Sequence, residues 1–262
     1  MKVSILIFNL FLIFLFGCQS SSETVPMVGN PAADGFNQAA SDPQAIQIAD
    51  QVMEAMGGRK AWDDTNVIGW NFNGRRYLIW DKSSGDVRID VPQDSTVYLI
   101  NIHDHTGKVY RKGQEQTDPD SVRLYTKKGE AIWINDSYWL VMPFKLKDSG
   151  VTLKYMEEDT TQTGVKSDVL QLTFKNVGNT PDNMYKVWVD QADHLVKQWA
   201  YYASFDQEKP PAIWPWDHYQ TYGEIKLSSD RSDGRGPKLV QVLSSVPEAV
   251  FTDVDQPSLV KF

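Results

Sequence analysis

With one cysteine, Cys18, in 262 residues, the chain cannot form an internal disulfide. Basic charge is outnumbered, 26 Lys and Arg against 34 Asp and Glu. The formal net charge is −8, whereas phosphate recognition needs a concentrated basic patch, so nucleic acid is excluded as a partner. The longest apolar run, Ile5 to Phe16 broken by Asn9, is too short for the roughly 20 residues of a membrane-spanning helix. There is no Gly-x-Ser-x-Gly elbow, no His-Glu-x-x-His pair and no phosphate-cradling glycine loop, so the known motifs for nucleophilic, zinc or nucleotide chemistry are missing.

The apolar run, preceded by Lys2, has the size of a signal-peptide core. It ends in Leu15-Phe16-Gly17-Cys18, which resembles the lipobox of bacterial lipoproteins; Phe16 stands where a small residue is usual. A lone thiol at that point reads as a lipidation site, the alternative being an ordinary cleaved signal with an incidental cysteine. Each buried lipid methylene contributes about 0.8 kcal/mol, so several chains anchor a protein stably. Gln19 follows the cysteine where Asp would suggest inner-membrane retention, so the expected location is the cell envelope at the outer membrane. The partner of the N-terminus is then the membrane itself.

Residues 19–41 are rich in Ser, Ala, Asn, Gly, Pro and Gln without an apolar period, and read as a flexible tether. The expected division is a signal over 1–17, a lipid-anchored tether over 18–41 and one domain over 42–262. That domain opens with a helix. Ser41 or Asp42 can cap it, Pro43 suits its first turn, and Ala45, Ile46, Ala49, Val52, Met53 and Met56 form a stripe before Gly57-Gly58 stops it. A short helical turn near Lys60 to Asp64 follows.

From Asn66 the period changes to two. Ile68, Trp70 and Phe72 share a face, Tyr77 and Ile79 alternate with Leu78 and Trp80, and Asn73-Gly74 and Ser83-Ser84-Gly85 supply turns. A strand over Thr96 to His103 returns through Val109-Tyr110. Asp118-Pro119 then opens a long or broken helix to about residue 140, weakened by Gly129 and ended by Pro143. Further strands are expected at 151–157, 168–175, 184–190, 195–202, 213–222, 224–227 and 238–243, with a loose tail after them. The sum is a mainly β (α+β) fold: a strongly curved antiparallel sheet or half-open barrel of about eleven strands, with two or three helices covering one side.

Three stretches carry a resemblance. Met56-Gly57-Gly58-Arg59-Lys60-Ala61-Trp62, Trp80-Asp81 before Gly85-Asp86-Val87-Arg88, and Trp133 to Leu146 (Trp-Ile-Asn-Asp-Ser-Tyr-Trp-Leu-Val-Met-Pro-Phe-Lys-Leu) resemble an uncharacterised lipoprotein family common in Bacteroidota. That family is distantly similar to the LolA/LolB lipoprotein carriers. The resemblance implies an open curved sheet closed on one side by helices, with an apolar cavity between. It supplies no site residues.

The site residues come from physical reading alone. Trp133, Tyr138, Trp139, Met142 and Phe144, with Trp70, Phe72 and Ile79 opposite, would line that cavity and shelter an amphiphile, such as a lipid or a lipoprotein acyl chain, at about 25 cal/mol per Å². The competing view is that these rings fill a solid core, which would leave a structural or interaction lipoprotein. Another rival is a hydrolase or metal-dependent enzyme built on His103-Asp104-His105 with His194 or His218 as a third ligand. The sequence is read as a binding protein without cofactor or bound metal.

Overall fold

A computed structural model of the chain describes residues 29–175, 177–178 and 182–256. The expected signal, Cys18 and the first part of the tether lie outside the described residues.

The chain enters through a segment whose composition reads as a free tether up to residue 41. From residue 30 on it is docked instead. Ala33 donates its N–H to Lys147 O and Asn37 to Val151 O, both at 3.0 Å, and Lys147 meets Asp50 in a buried ion pair beside Asn30. Composition does not show this, because the segment is held by backbone hydrogen bonds, by Asn30, which meets both Asp50 and Lys147, and by the single apolar contact of Phe36 with the core rather than by an apolar stripe.

Helix α1 (Pro43–Ala55) buries Ala45, Ile48, Ala49, Val52 and Met53. Its expected cap is absent. Asp42 instead accepts from Tyr155 N at 3.0 Å and from Lys154 Nζ at 2.8 Å, tying the helix start to a later strand. Gly57, at φ +114°, ends the turn with its α-carbon against the Glu224 carbonyl, and α2 (Gly58–Asp64) follows.

A seven-stranded antiparallel sheet comes next: β1 (Val67–Phe72), β2 (Arg76–Asp81), β3 (Asp86–Val91), β4 (Thr96–Asn101), β5 (Thr106–Arg111) and β6 (Gln114–Glu115), completed at its first edge by β14 (Pro237–Leu243). Asn73 and Gly74 both take positive φ at the first hairpin, as the Asn-Gly signal requires. Strand β4 stops at Asn101, two residues before the expected end. The Asn101 side chain accepts from the N–H of His103 and Asp104, folding the histidines into a turn where they share no strand face.

Helix α3 (Pro119–Val141) is capped by Asp118, which accepts from Ser121 N at 2.9 Å. Gly129 does not interrupt it; a Cβ there would sit 3.0 Å from Tyr98 and 3.1 Å from Ile100, so the glycine lets the helix lie close on β4. A 3₁₀ turn, Met142–Lys145, ends the segment.

A second, five-stranded antiparallel sheet holds β7 (Val151–Thr160), β8 (Lys166–Phe174), β9 (Met184–Asp190), β10 (Val196–Tyr202) and β11 (Ala212–Pro215). The long strand expected over 213–222 is two, because the chain turns at Trp216 to His218, the last at φ +53°. β12 (Tyr219–Tyr222) then pairs with β13 (Ile225–Ser228) as a separate hairpin. The fold is mainly β, antiparallel and unclosed, with helices covering the sheet face, as expected; its ladder is divided into two main sheets with α3 between them.

The expected loose tail is also docked in part. Helix α4 (Ala249–Thr252) lays Val250 against Val67, Tyr77 and Ile79 on the outer face of the first sheet.

Candidate functional site

Strand parity decides which side chains meet α3. Ile68, Trp70 and Phe72 lie opposite Trp80, Leu78 and Arg76, so all six share the face toward the helix, while Tyr77 and Ile79 point the other way. That face is filled. Trp70, Ile68, Leu78 and Met142 are wholly buried in the main core. Trp133 of α3 packs edge-on to Trp80 with ring centres 5.2 Å apart, and Arg76 reaches the buried Asp136. The hollow expected between α3 and Trp70, Phe72 and Ile79 is therefore solid, because β1 and β2 both send bulky rings inward.

The space opens on the opposite side of the helix. A cavity of about 550 Å³ lies between the C-terminal half of α3 and the second sheet. The helix contributes Trp133, Asn135, Ser137, Tyr138 and Trp139. Phe174 of β8, Tyr185 of β9, Trp199 and Tyr201 of β10 and Trp214 of β11 form the wall, and Lys145, Asp148, Ser149 and Val177 stand at the margin.

Cross-strand register builds that wall. Tyr201 faces Tyr185, and Trp199 faces Trp214, so aromatic rings from three strands emerge on one side. They pack on each other. Tyr185 stacks on Trp199 at 5.4 Å and 12°, and Trp139 meets Trp199 edge-on at 4.6 Å and 88°. Tyr138 sits against Phe174 at 6.2 Å and Tyr185 at 5.4 Å. Burial pushes the Tyr138 phenol well up and that of Tyr185 up to about 12, so both are neutral at physiological pH and neither is poised to take a proton.

Trp139 is held from behind. Its carbonyl accepts from Arg231 Nη2 at 2.6 Å, while Arg231 Nε donates to Ser228 Oγ at 2.8 Å. The guanidinium lies 3.7 Å from the Trp216 ring centre. Burial pulls Arg231 down to about 9, which still leaves it charged at neutral pH, where its donors fix the indole's backbone. Phe72 packs edge-on to Trp139 at 5.9 Å.

Of the residues singled out from sequence, Trp133, Tyr138 and Trp139 line the cavity. Phe72 backs it, and Trp70 and Met142 belong to the core. Phe144 stacks on Trp62 at 4.4 Å and lines a smaller hollow of about 90 Å³ beside the entering segment. Ile79 lies across the sheet, a one-residue parity error. Cys18 is outside the described residues. Missed were Phe174, Tyr185, Trp199, Tyr201 and Trp214; their aromatic alternation is present in sequence, but the register that gathers them is not. His105 Nδ1 meets Glu130 at 3.0 Å and His218 Nδ1 meets Asp230 O at 2.7 Å; among the described residues no group of three or more His, Cys, Asp or Glu could hold a metal ion.

No family model matches the chain, and no curated protein matches it. Among solved structures it is similar to a DUF1329 family protein from Desulfovibrio piger, at 13% identity and a TM-score of 0.43, over 79% of this chain and 96% of that one. It is also similar to a putative outer membrane lipoprotein-sorting protein domain from Vibrio parahaemolyticus (9%, TM-score 0.39, 79% and 96%). A LolA superfamily protein from Nitrosomonas europaea is a further neighbour (9%, TM-score 0.39, 78% and 96%).

Proposed function

We propose that the chain binds an apolar or amphiphilic molecule, in the class of a lipid or a lipoprotein acyl chain, without covalent chemistry in the cavity between α3 and the second sheet. It would do so as a lipoprotein of the cell envelope, held at the outer membrane through Cys18. The observation that carries the reading is the open, ring-walled space of about 550 Å³, within the size range of small-molecule sites.

The energetics fit a reversible carrier. Burying about fifteen methylenes contributes roughly 12 kcal/mol, and association costs at least about 4. The remainder corresponds to dissociation constants of about micromolar before ring contacts are added. Delivery would run downhill in affinity, with the anchor setting the local concentration near the membrane. The neutral phenols of Tyr138 and Tyr185 and the mutual pairing of Lys145 with Asp148 support binding over acid–base catalysis.

Mass spectrometry of gently purified protein tests this. Co-purifying apolar ligand is expected, and depleted in a folded Trp139→Glu variant. A protein that emerges without ligand and takes up no added amphiphile refutes the reading and favours a tethered interaction protein.

A further inference from the structure

The character of the cavity wall narrows the ligand class, on the assumption that this cavity is the binding site. Among the described lining residues eight are aromatic, against three branched aliphatic side chains, Ile134, Val151 and Val177, and no leucine or methionine. Unbranched, flexible side chains such as methionine repack around varied occupants, and this wall has none. Here the rings brace one another: Tyr185 is stacked on Trp199, Trp199 is tilted against Trp214 at 5.3 Å, and Trp139 is wedged against both tryptophans. Such a wall is preorganised and favours a rigid occupant with flat faces.

Charge narrows it further. Among the described lining residues the only charged side chains are Lys145 and Asp148, and they pair with each other at 2.5 Å. A fatty-acid carboxylate would find no unshared cation there and would have to compete with Asp148 for Lys145. The other polar groups are amides and hydroxyls, such as Asn183 and Tyr201, which already meet at 3.3 Å. Groups of this kind match carbonyl or hydroxyl oxygens on a neutral ring edge.

The geometry points to an uncharged, planar ring-bearing amphiphile with oxygen at its edge, of the quinone type, as the ligand. The aromatic wall holds the ring and the open side of the cavity accommodates any attached chain.

Calorimetric titration of the full chain carrying Cys18→Ser tests this with menadione, palmitate and maltose in parallel. Menadione is expected to bind at one site at least tenfold more tightly than palmitate. Trp214→Leu, on the edge strand and half-buried, is expected to weaken menadione at least fivefold with circular dichroism unchanged. Tighter binding of palmitate overturns the inference while leaving the cavity as a ligand site. Binding of maltose in place of menadione assigns the wall to a hydrated sugar and overturns it as well. If none of the three binds, both the inference and the cavity reading fail.

Discussion

Arg76 and Asp136 join the first sheet to the helix that walls the cavity: Nε lies 2.7 Å from Oδ2 and Nη2 2.8 Å from Oδ1, with the carboxylate fully buried. Burial pushes the Asp136 carboxyl up, and the Arg76 hydrogen bond and charge pull it back. Arg76→Ala leaves a buried charge unpaired and is expected to cost about 3–5 kcal/mol at neutral pH. The cost should depend on pH. The folded-state pKa of Asp136 already exceeds the unfolded value and rises further without Arg76, so the penalty is full at high pH and fades as protonation proceeds on acidification. Urea unfolding of wild type and variant should show a clearly smaller gap at about pH 5 than at about pH 8. Asp136→Asn, which removes the charge and keeps the shape, is expected to cost less than Arg76→Ala. A gap that does not move with pH contradicts this assignment.

Gly57 sits at φ +114° where any Cβ would collide with the Glu224 carbonyl oxygen. Gly57→Ala is therefore expected to destabilise by about 2–4 kcal/mol, combining backbone strain with an overpacked junction. Gly74, also at positive φ but with open space around it, is the control: Gly74→Ala should cost about 1 kcal/mol. Thermal unfolding of the two variants separates a close approach from a simple turn preference.

Arg88 clamps the C-terminal segment. It donates to the carbonyls of Val250, Asp253 and Val254 at 3.0–3.2 Å and forms a two-pronged pair with Asp90. Arg88→Met is expected to release this segment, speed chymotryptic cleavage at Phe251 by tenfold or more, and lower stability by about 2–4 kcal/mol. Cleavage at the wild-type rate would show that the apolar contact of Val250 with Val67 and Ile79 suffices to hold it.

What could be read from sequence was what local chemistry dictates. Pro43 and Pro119 opened helices, Asn73-Gly74 turned a hairpin, and the alternation through Ile68, Trp70 and Phe72 marked an inward face. What escaped depended on contacts distant in sequence. Ile79 looked inward only until the register of β1 against β2 fixed its parity. Gly129 looked like a helix breaker because Tyr98, the residue that needs its absent side chain, lies on a separate strand. The docked residues 30–41 have no apolar period, since backbone groups and Lys147 hold them.

The site was half legible for the same reason. The cluster Trp133, Tyr138 and Trp139 stood out as a dense aromatic run, and two of its members do face the second sheet across the cavity. Its partners across the cavity lie on the second sheet, whereas alternation in β1 and β2 points to the first. A helix lying between two sheets offers bulky residues to both, and helical spacing alone does not say which side is packed solid. The pairing of Tyr201 with Tyr185 and of Trp199 with Trp214 decides it, and that register is set by strand pairing in the folded chain.

The most direct test is a titration of the Cys18→Ser chain with N-phenyl-1-naphthylamine, an apolar dye that brightens out of water. Saturable uptake at one site per chain is expected, reduced at least fivefold by Trp214→Glu with the thermal midpoint little changed. Absence of saturable uptake by the wild-type chain, or uptake indifferent to Trp214→Glu in a folded variant, would contradict a ligand site between α3 and the second sheet.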